Sequence, residues 1–212
     1  PAPWYRTIFE ARDVIETPIE AVAGTVFDVN GWDLRKALRL LAKSNPVLIE
    51  WLQSPLVYQQ QSTFTQELLA LAQERFSLKA CHYHYYHMAR KNYREHLLGD
   101  EIKLKKYFYV LRPVLACLWL EQGLGIPPMA LTDLLDPLLP VGELRDCILQ
   151  LREEKMRTPE FGTAAPIPVL QHFLSEQLAR LENSQLATPV AQTHQALDAF
   201  LWRWMGDASH KT

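Results

Sequence analysis

Hydrophobic spacing changes period at Asn30-Gly31, and that change sets the fold class. Before it, residues 12–17 alternate polar and apolar in part, and residues 23–29 are β-branched and aromatic. This pattern predicts two short strands joined around Pro18 and ending at Asn30-Gly31. After Gly31 the apolar residues recur at three- and four-residue steps. Leu34, Ala37, Leu38 and Leu41 make one face of a helix over 33–42. Pro46 after Asn45 ends or bends that helix, and a short apolar helix follows over 47–52. Ser62 or Thr65 is placed to cap a long helix over 66–98, with Gly99 as its stop. Further helices are expected over 103–122, with Pro113 as a kink, and over 131–139 and 141–155. A Pro- and Gly-containing linker spans 157–168. Amphipathic helices over 170–181 and 190–205 close the chain, the second opened by Thr188 or Pro189, before a frayed tail. The reading is α+β, mostly α.

A chain of 212 residues that is 48% hydrophobic and 22% charged carries enough apolar surface to fold, which argues against wholesale disorder. A net charge of -2 excludes a globally polybasic nucleic-acid binder, so any such contact must be local. No apolar run approaches the roughly 18 residues of a membrane span, and no secretory signal pattern opens the sequence. Cys81, Cys117 and Cys147 are widely spaced and form no zinc-ligand pair. Free thiols in a reducing cytoplasm are the expectation. Pro1 fits both a start that has lost its Met and a cut inside a longer chain.

The near-neutral total conceals segregation. Between Arg75 and Arg112 nine basic side chains face three acidic ones, a net of +6, and the remainder of the chain nets -8. Tyr83, Tyr86, Arg90 and Tyr93 share one helical stripe, and Lys105, Tyr109 and Arg112 share another. Lys91 and Lys106 lie beside them. Such stripes offer cations to phosphates and ring faces to bases; solvated lysines and core-edge tyrosines give the same pattern. A second cationic row, Arg35, Arg39 and Lys43, recurs at four-residue spacing on the helix over 33–42, with Lys36 adjacent.

His82, His84 and His87 resemble a metal cluster only at first sight. Residues two apart lie on roughly opposite sides of a helix, and no acidic ligand sits one turn from the His84–His87 pair. Hydrogen-bonded or solvent-facing histidines are the simpler reading. Cys81 reads as a small buried residue. No nucleophile elbow, Walker loop or dinucleotide-binding glycine set is present. Asp28, flanked by Phe27 and Val29 at a strand end, is an ordinary turn residue or one of several carboxylates holding a divalent ion.

The run Phe27-Asp28-Val29-Asn30-Gly31-Trp32-Asp33-Leu34-Arg35-Lys36-Ala37-Leu38 resembles predicted nucleotidyltransferases of the DNA polymerase β superfamily, found in bacteria and phages and grouped with RNA-repair proteins. The likeness continues through Leu40 to Pro46 and Glu50 to Tyr58. It returns at His84-Tyr85, Met88 to Tyr93, Lys103 to Tyr107, Tyr109 to Pro113 and Pro127-Pro128. The resemblance implies a remnant of a polymerase-β-type palm, about two strands here, followed by a helical bundle. It implies domains at 1–60 (palm), 61–156 (basic, Tyr-rich helices) and 157–212 (linker and helices packed on the helical domain). Asp28 matches the third metal-binding acid of the family, making it the candidate catalytic residue and ligand for Mg²⁺ or Mn²⁺. Arg35, Lys36, Arg39 and Lys43 then become candidates for the triphosphate of an NTP. Tyr83, Tyr86, Arg90, Lys91, Tyr93, Lys105, Lys106, Tyr109 and Arg112 become candidates for an acceptor.

The family's Gly-Ser turn and D-x-D pair do not occur in these residues. The expectation is therefore a fragment or a shortened relative, inactive by itself, because one carboxylate leaves two metal ions mostly unheld. The intact enzyme would move a nucleoside monophosphate from an NTP to an acceptor, an RNA end by preference and a protein hydroxyl as the alternative. The competing class is a non-catalytic module that binds nucleic acid or protein. The expected setting is cytoplasmic, away from membranes; the oligomeric state is not readable.

Overall fold

The computed structural model describes residues 13–16, 20–22, 25–27, 29–157, 162–187 and 193–206. Among them are nine helices and three two-stranded antiparallel sheets, an α+β architecture dominated by helix. The chain forms two compact units, one of residues 1–52, 56–76 and 191–212, the other of residues 53–55 and 77–190.

The first unit begins with four short strands where the sequence suggests two. Strand β1 (Val14–Glu16) pairs with β4 (Asn30–Trp32), and β2 (Glu20–Val22) pairs with β3 (Thr25–Phe27). Asn30-Gly31 is thus part of a strand rather than a stop. Gly31 sits opposite Ile15, and a Cβ there would meet the Ile15 Cβ at 3.6 Å, an ordinary contact. The pairing holds this residue extended in spite of its weak strand preference. Pro18 lies outside the described residues.

Helix α1 (Leu34–Ala42) follows directly. Asp33 caps it, its carboxylate accepting from the backbone N–H of Arg35 at 2.9 Å and of Lys36 at 3.3 Å. Asp33 also donates its own N–H to the Asp13 carbonyl at 2.9 Å, fastening the helix start to the β1–β4 ribbon. Lys43 and Ser44 end the helix, Ser44 with φ of 49°. Asn45 and Pro46 then open α2 (Pro46–Leu52), the Asn45 side chain accepting from the Val47 N–H at 3.0 Å. Helix α3 (Ser62–Glu74) is capped by Gln61, not by Ser62 or Thr65. Helix α9 (Gln195–Gly206) returns from the far end of the sequence to pack on α1 and α3. Their shared core holds Leu38, Leu41, Leu48, Leu68, Leu197 and Phe200.

The long helix expected over 66–98 is two. Helix α3 stops at Glu74, and α4 (Leu78–His96) starts after Ser77, whose hydroxyl accepts from the Ala80 N–H at 3.2 Å. A side-chain cap at Ser77 satisfies a helix start that the apolar periodicity passes over. This break also divides the units, which is why the contact pattern joins 61–76 to the first unit while the sequence reading places the boundary at 60. Helix α9 likewise belongs with the first unit. It starts at Gln195, five residues later than expected, and residues 188–192 lie outside the described set.

In the second unit α5 (Lys106–Glu121) is buried almost all round, with Val110, Leu111, Val114, Leu115 and Ala116 fully enclosed. A helix apolar on every side needs neighbours on every side. They are α4, α6 (Leu131–Leu138) and α8 (Pro168–Leu181), with α7 (Glu143–Arg157) against α8. Inside the expected linker, β6 (Thr163–Ala164) pairs with β5 (Ile102–Lys103). Gln171 joins three segments: it donates to the Leu97 carbonyl at 2.9 Å and the Tyr107 hydroxyl at 3.3 Å, and accepts from Tyr93 at 3.2 Å.

Candidate functional site

Arg35 and Arg39 of α1, with Lys43 at its C-cap, line one side of a cavity of about 630 Å³ within the first unit. Each is one helical turn, about 6 Å, from the next. All three are exposed, and none has an ion-pair partner among the described residues. The other side comes from α9 and the residue before it: His194, Leu197, Asp198 and Leu201. Leu38 and Ala42 of α1 complete an apolar floor. The result is a cleft with a cationic wall, a greasy base and one carboxylate. It suits a ligand with an anionic end and a flat organic end, because unpaired guanidinium and ammonium groups favour phosphate while the floor favours a ring.

The walls are held by hydrogen bonds behind them. The buried Ser44 hydroxyl donates to the Arg75 carbonyl at 3.2 Å, linking the end of α1 to the end of α3. Buried Arg75 donates from Nη1 to the Thr193 carbonyl at 2.8 Å, fixing the chain where it enters α9. Phe64 of α3 packs against Phe200 and Trp204 of α9, with ring centroids 5.4 Å and 5.0 Å apart. Trp202, on the same helix, is exposed.

Lys36, grouped with the triphosphate candidates, turns away. Its ammonium pairs with Asp13 at 3.0 Å, and it does not line the cleft. Asp28 lies outside the described residues, between β3 and β4. Among the described residues no group of three His, Cys, Asp or Glu side chains could hold a metal ion. The described part of the chain therefore does not itself fit a divalent-metal centre.

The acceptor candidates all lie in the second unit, in several environments. Tyr83 is exposed, and its ring stands 4.0 Å from that of His87. Tyr86, one turn further, is only 8% exposed. Burial raises the pKa of its hydroxyl, and the nearby Arg90 cation only partly counters that. Arg90 pairs with Glu182 at 3.2 Å and Lys91 with Glu95 at 3.9 Å. Tyr93 is occupied by Gln171. Lys105 is exposed just before α5. Lys106 contacts His96 at 3.2 Å and lies 4.5 Å from the centre of the Tyr109 ring. Arg112 donates to the carbonyls of Met129 and Pro128. The stripe drawn from sequence is thus divided between an exposed edge (Tyr83, Lys91) and a packed edge (Tyr86, Arg90, Tyr93).

Around buried His82 of α4 lies a partly buried polar cluster. His82 Nε2 stands 3.5 Å from the Glu121 carboxylate, close enough to feel its charge but without an aligned hydrogen bond. Burial holds the His82 pKa below the usual imidazole value, against the pull of Glu121. Glu121 accepts from Arg180 at 2.6 Å and from the Ser184 hydroxyl. Burial alone would raise the Glu121 pKa, but those two hydrogen bonds and the Arg180 charge outweigh it and keep the group below its ordinary value. The cysteines are free thiols, Cys81 and Cys117 buried. No helix among the described residues is long and apolar enough to cross a membrane.

His194, Leu197, Asp198 and Leu201 are absent from the sequence-derived site. Their amphipathic pattern was visible, but nothing local says that α9 faces α1. The sequence profile of the RlaP family, the RNA repair pathway DNA polymerase beta family, matches residues 1–203. An uncharacterized protein of Bacillus subtilis (strain 168), YcgL, is 45% identical over 178 residues, which cover 84% of this chain and 67% of that protein. No solved structure matches the chain.

Proposed function

The chain belongs to the RNA repair pathway DNA polymerase beta family, and from that membership we propose that its first unit grips the NTP of a nucleotidyl transfer to an RNA end. The observation that carries this reading is the row Arg35, Arg39 and Lys43, without ion-pair partners among the described residues, above an apolar floor. The three cations take the phosphates, and Leu38, Leu197 and Leu201 take the base or ribose face. Asp198 accepts from a hydroxyl or an exocyclic amine. In the transfer, an acceptor hydroxyl oxygen forms a bond to the α-phosphorus, the bond from that phosphorus to the bridging oxygen of the β-phosphate breaks, and pyrophosphate departs. The hydroxyl proton passes to solvent or a nearby base. Cations along α1 neutralise the charge that gathers on the departing phosphates.

Asp28 is assigned to the carboxylate set of the reaction, with Mg²⁺ or Mn²⁺ as the ion of that set. Catalysis is assigned only to a protein in which further carboxylates accompany Asp28, not to these residues alone. A binding module without transfer activity is the second reading.

Titration of the 212-residue chain with ATP, GTP, CTP and UTP by calorimetry tests the nucleotide cleft. Saturable binding of at least one NTP that weakens in Arg39→Ala is the expected result. Absence of binding to all four, or binding indifferent to Arg35→Ala, Arg39→Ala and Lys43→Ala, overturns it. Transfer of label from an α-labelled NTP to RNA by a longer protein carrying this segment then separates enzyme from binding module.

A further inference from the structure

We propose that α4 carries a binding track for one nucleotide of a single-stranded RNA end, its base in a cavity beside Tyr83 and His87 and its phosphate one turn further along at Lys91 and Arg94. The inference rests on the RNA-end reading above and gives the acceptor a place. Two adjoining cavities in the second unit carry it. The first, about 360 Å³, is lined by Lys79, Tyr83, Tyr86 and His87 of α4 and by Glu182 and Gln185 after α8. The second, about 270 Å³, is lined by His87, Arg90, Lys91, Arg94 and Glu95. His87 lines both, so the two are neighbours along one helix.

Their chemistries are complementary parts of one ligand. The Tyr83 and His87 rings, packed against each other with centroids 4.0 Å apart, together form an aromatic side of the first cavity, which carries amide and carboxylate groups at its rim. His82 also lines it, its pKa lowered by burial. A base stacks there and meets donors and acceptors on its edge. The second cavity offers three basic side chains. Arg90 is already paired with Glu182, and Lys91 makes only a 3.9 Å contact with exposed Glu95. Arg94 has no ion-pair partner among the described residues. A phosphate is the natural occupant. The step from His87 to Lys91 is one turn, about 6 Å, comparable to the reach from a base to its own phosphate. A duplex cannot use the track, because its paired bases do not present their faces.

The test is the affinity of the 212-residue chain for a 5′-labelled hexaribonucleotide, followed by fluorescence anisotropy over a range of salt concentrations, with NTP binding measured on the same samples. Tyr83 and Arg94 are exposed, so replacing them leaves the unit folded, which circular dichroism verifies. Tyr83→Ala is expected to weaken binding about tenfold with little change in salt dependence. Arg94→Ala is expected to reduce the slope of log affinity against log salt by about 0.7, one phosphate contact. Unchanged affinity in both variants, or equally tight duplex binding with the same losses, overturns the track. If NTP binding persists in that case, the nucleotide cleft stands without it. If NTP binding is absent while both RNA effects appear, the cleft falls and the track stands.

Discussion

The side-chain hydroxyl of Ser44 donates to the main-chain carbonyl of Arg75 across 3.2 Å of buried space, and the guanidinium of Arg75 donates in turn to Thr193. Two hydrogen bonds thereby set the end of α1 against the start of α9. Arg75 does not line the proposed nucleotide cleft, yet it positions both walls. Arg75→Ala should cost about 2 kcal/mol, because it removes a charge-assisted hydrogen bond made by a buried guanidinium. Urea unfolding measures the loss. NTP affinity should fall with it at temperatures where the variant remains folded; unchanged affinity would remove Arg75 from the positioning role.

Arg39 and Lys36 are separated by three residues and share a charge, but they should behave differently. Arg39 lines the cleft, whereas Lys36 is paired with Asp13 at 3.0 Å. Arg39→Ala should weaken NTP binding about tenfold, within the range for a charge-assisted phosphate contact. Lys36→Ala should leave NTP affinity within about twofold and change stability by less than about 1 kcal/mol, as for a partly exposed pair. Calorimetry on the two variants decides the matter.

Acid should loosen the second unit in two stages. The His82 pKa is lowered in the folded state, so the unfolded chain binds the proton more readily and protonation favours unfolding. Its contribution is present above the ordinary imidazole value of 6.5 and is lost as pH falls through the lowered folded value. Glu121 is also lowered, so its contribution is present above 4.5 and disappears as pH falls through its own folded value. Unfolding midpoints measured from pH 8 to pH 4 should therefore decline first below about 6.5. His82→Gln should remove the first decline and spare the second.

Thiol reactivity should follow burial. Cys81 and Cys117 are 1% and 0% exposed, while Cys147 is half-buried. Burial pushes the Cys117 thiol strongly upward and raises Cys147 too. A disulfide reagent at pH 8 should modify Cys147 slowly and the other two only after unfolding. Mass mapping of the labelled native protein checks the order; early labelling of Cys117 would contradict its enclosure.

Much of the first unit was legible because it is local. Asp33 as a helix start, the Leu34-Ala37-Leu38-Leu41 face and the cationic row at four-residue spacing all follow from a 3.6-residue period. The failures have two origins, one in strand pairing and one in a local cap. Asn30-Gly31 reads as a stop but is held extended by pairing with β1, a partner fourteen to sixteen residues away. The Ser77 cap interrupts a periodicity that runs through it.

The sequence by itself determined the α+β class, the positions of most helices, the family and the cationic row that lines one wall of the cleft, because each depends on neighbours within a turn or two or on a contiguous motif. Tertiary structure decided the rest. It brought His194, Leu197 and Asp198 opposite Arg39, turned Lys36 toward Asp13, and divided one tyrosine stripe into an exposed Tyr83 and a buried Tyr86. The physical reason is common to all three. A helical period states which residues share a face, while the element that covers that face is chosen by burial and hydrogen bonding between segments far apart in the chain.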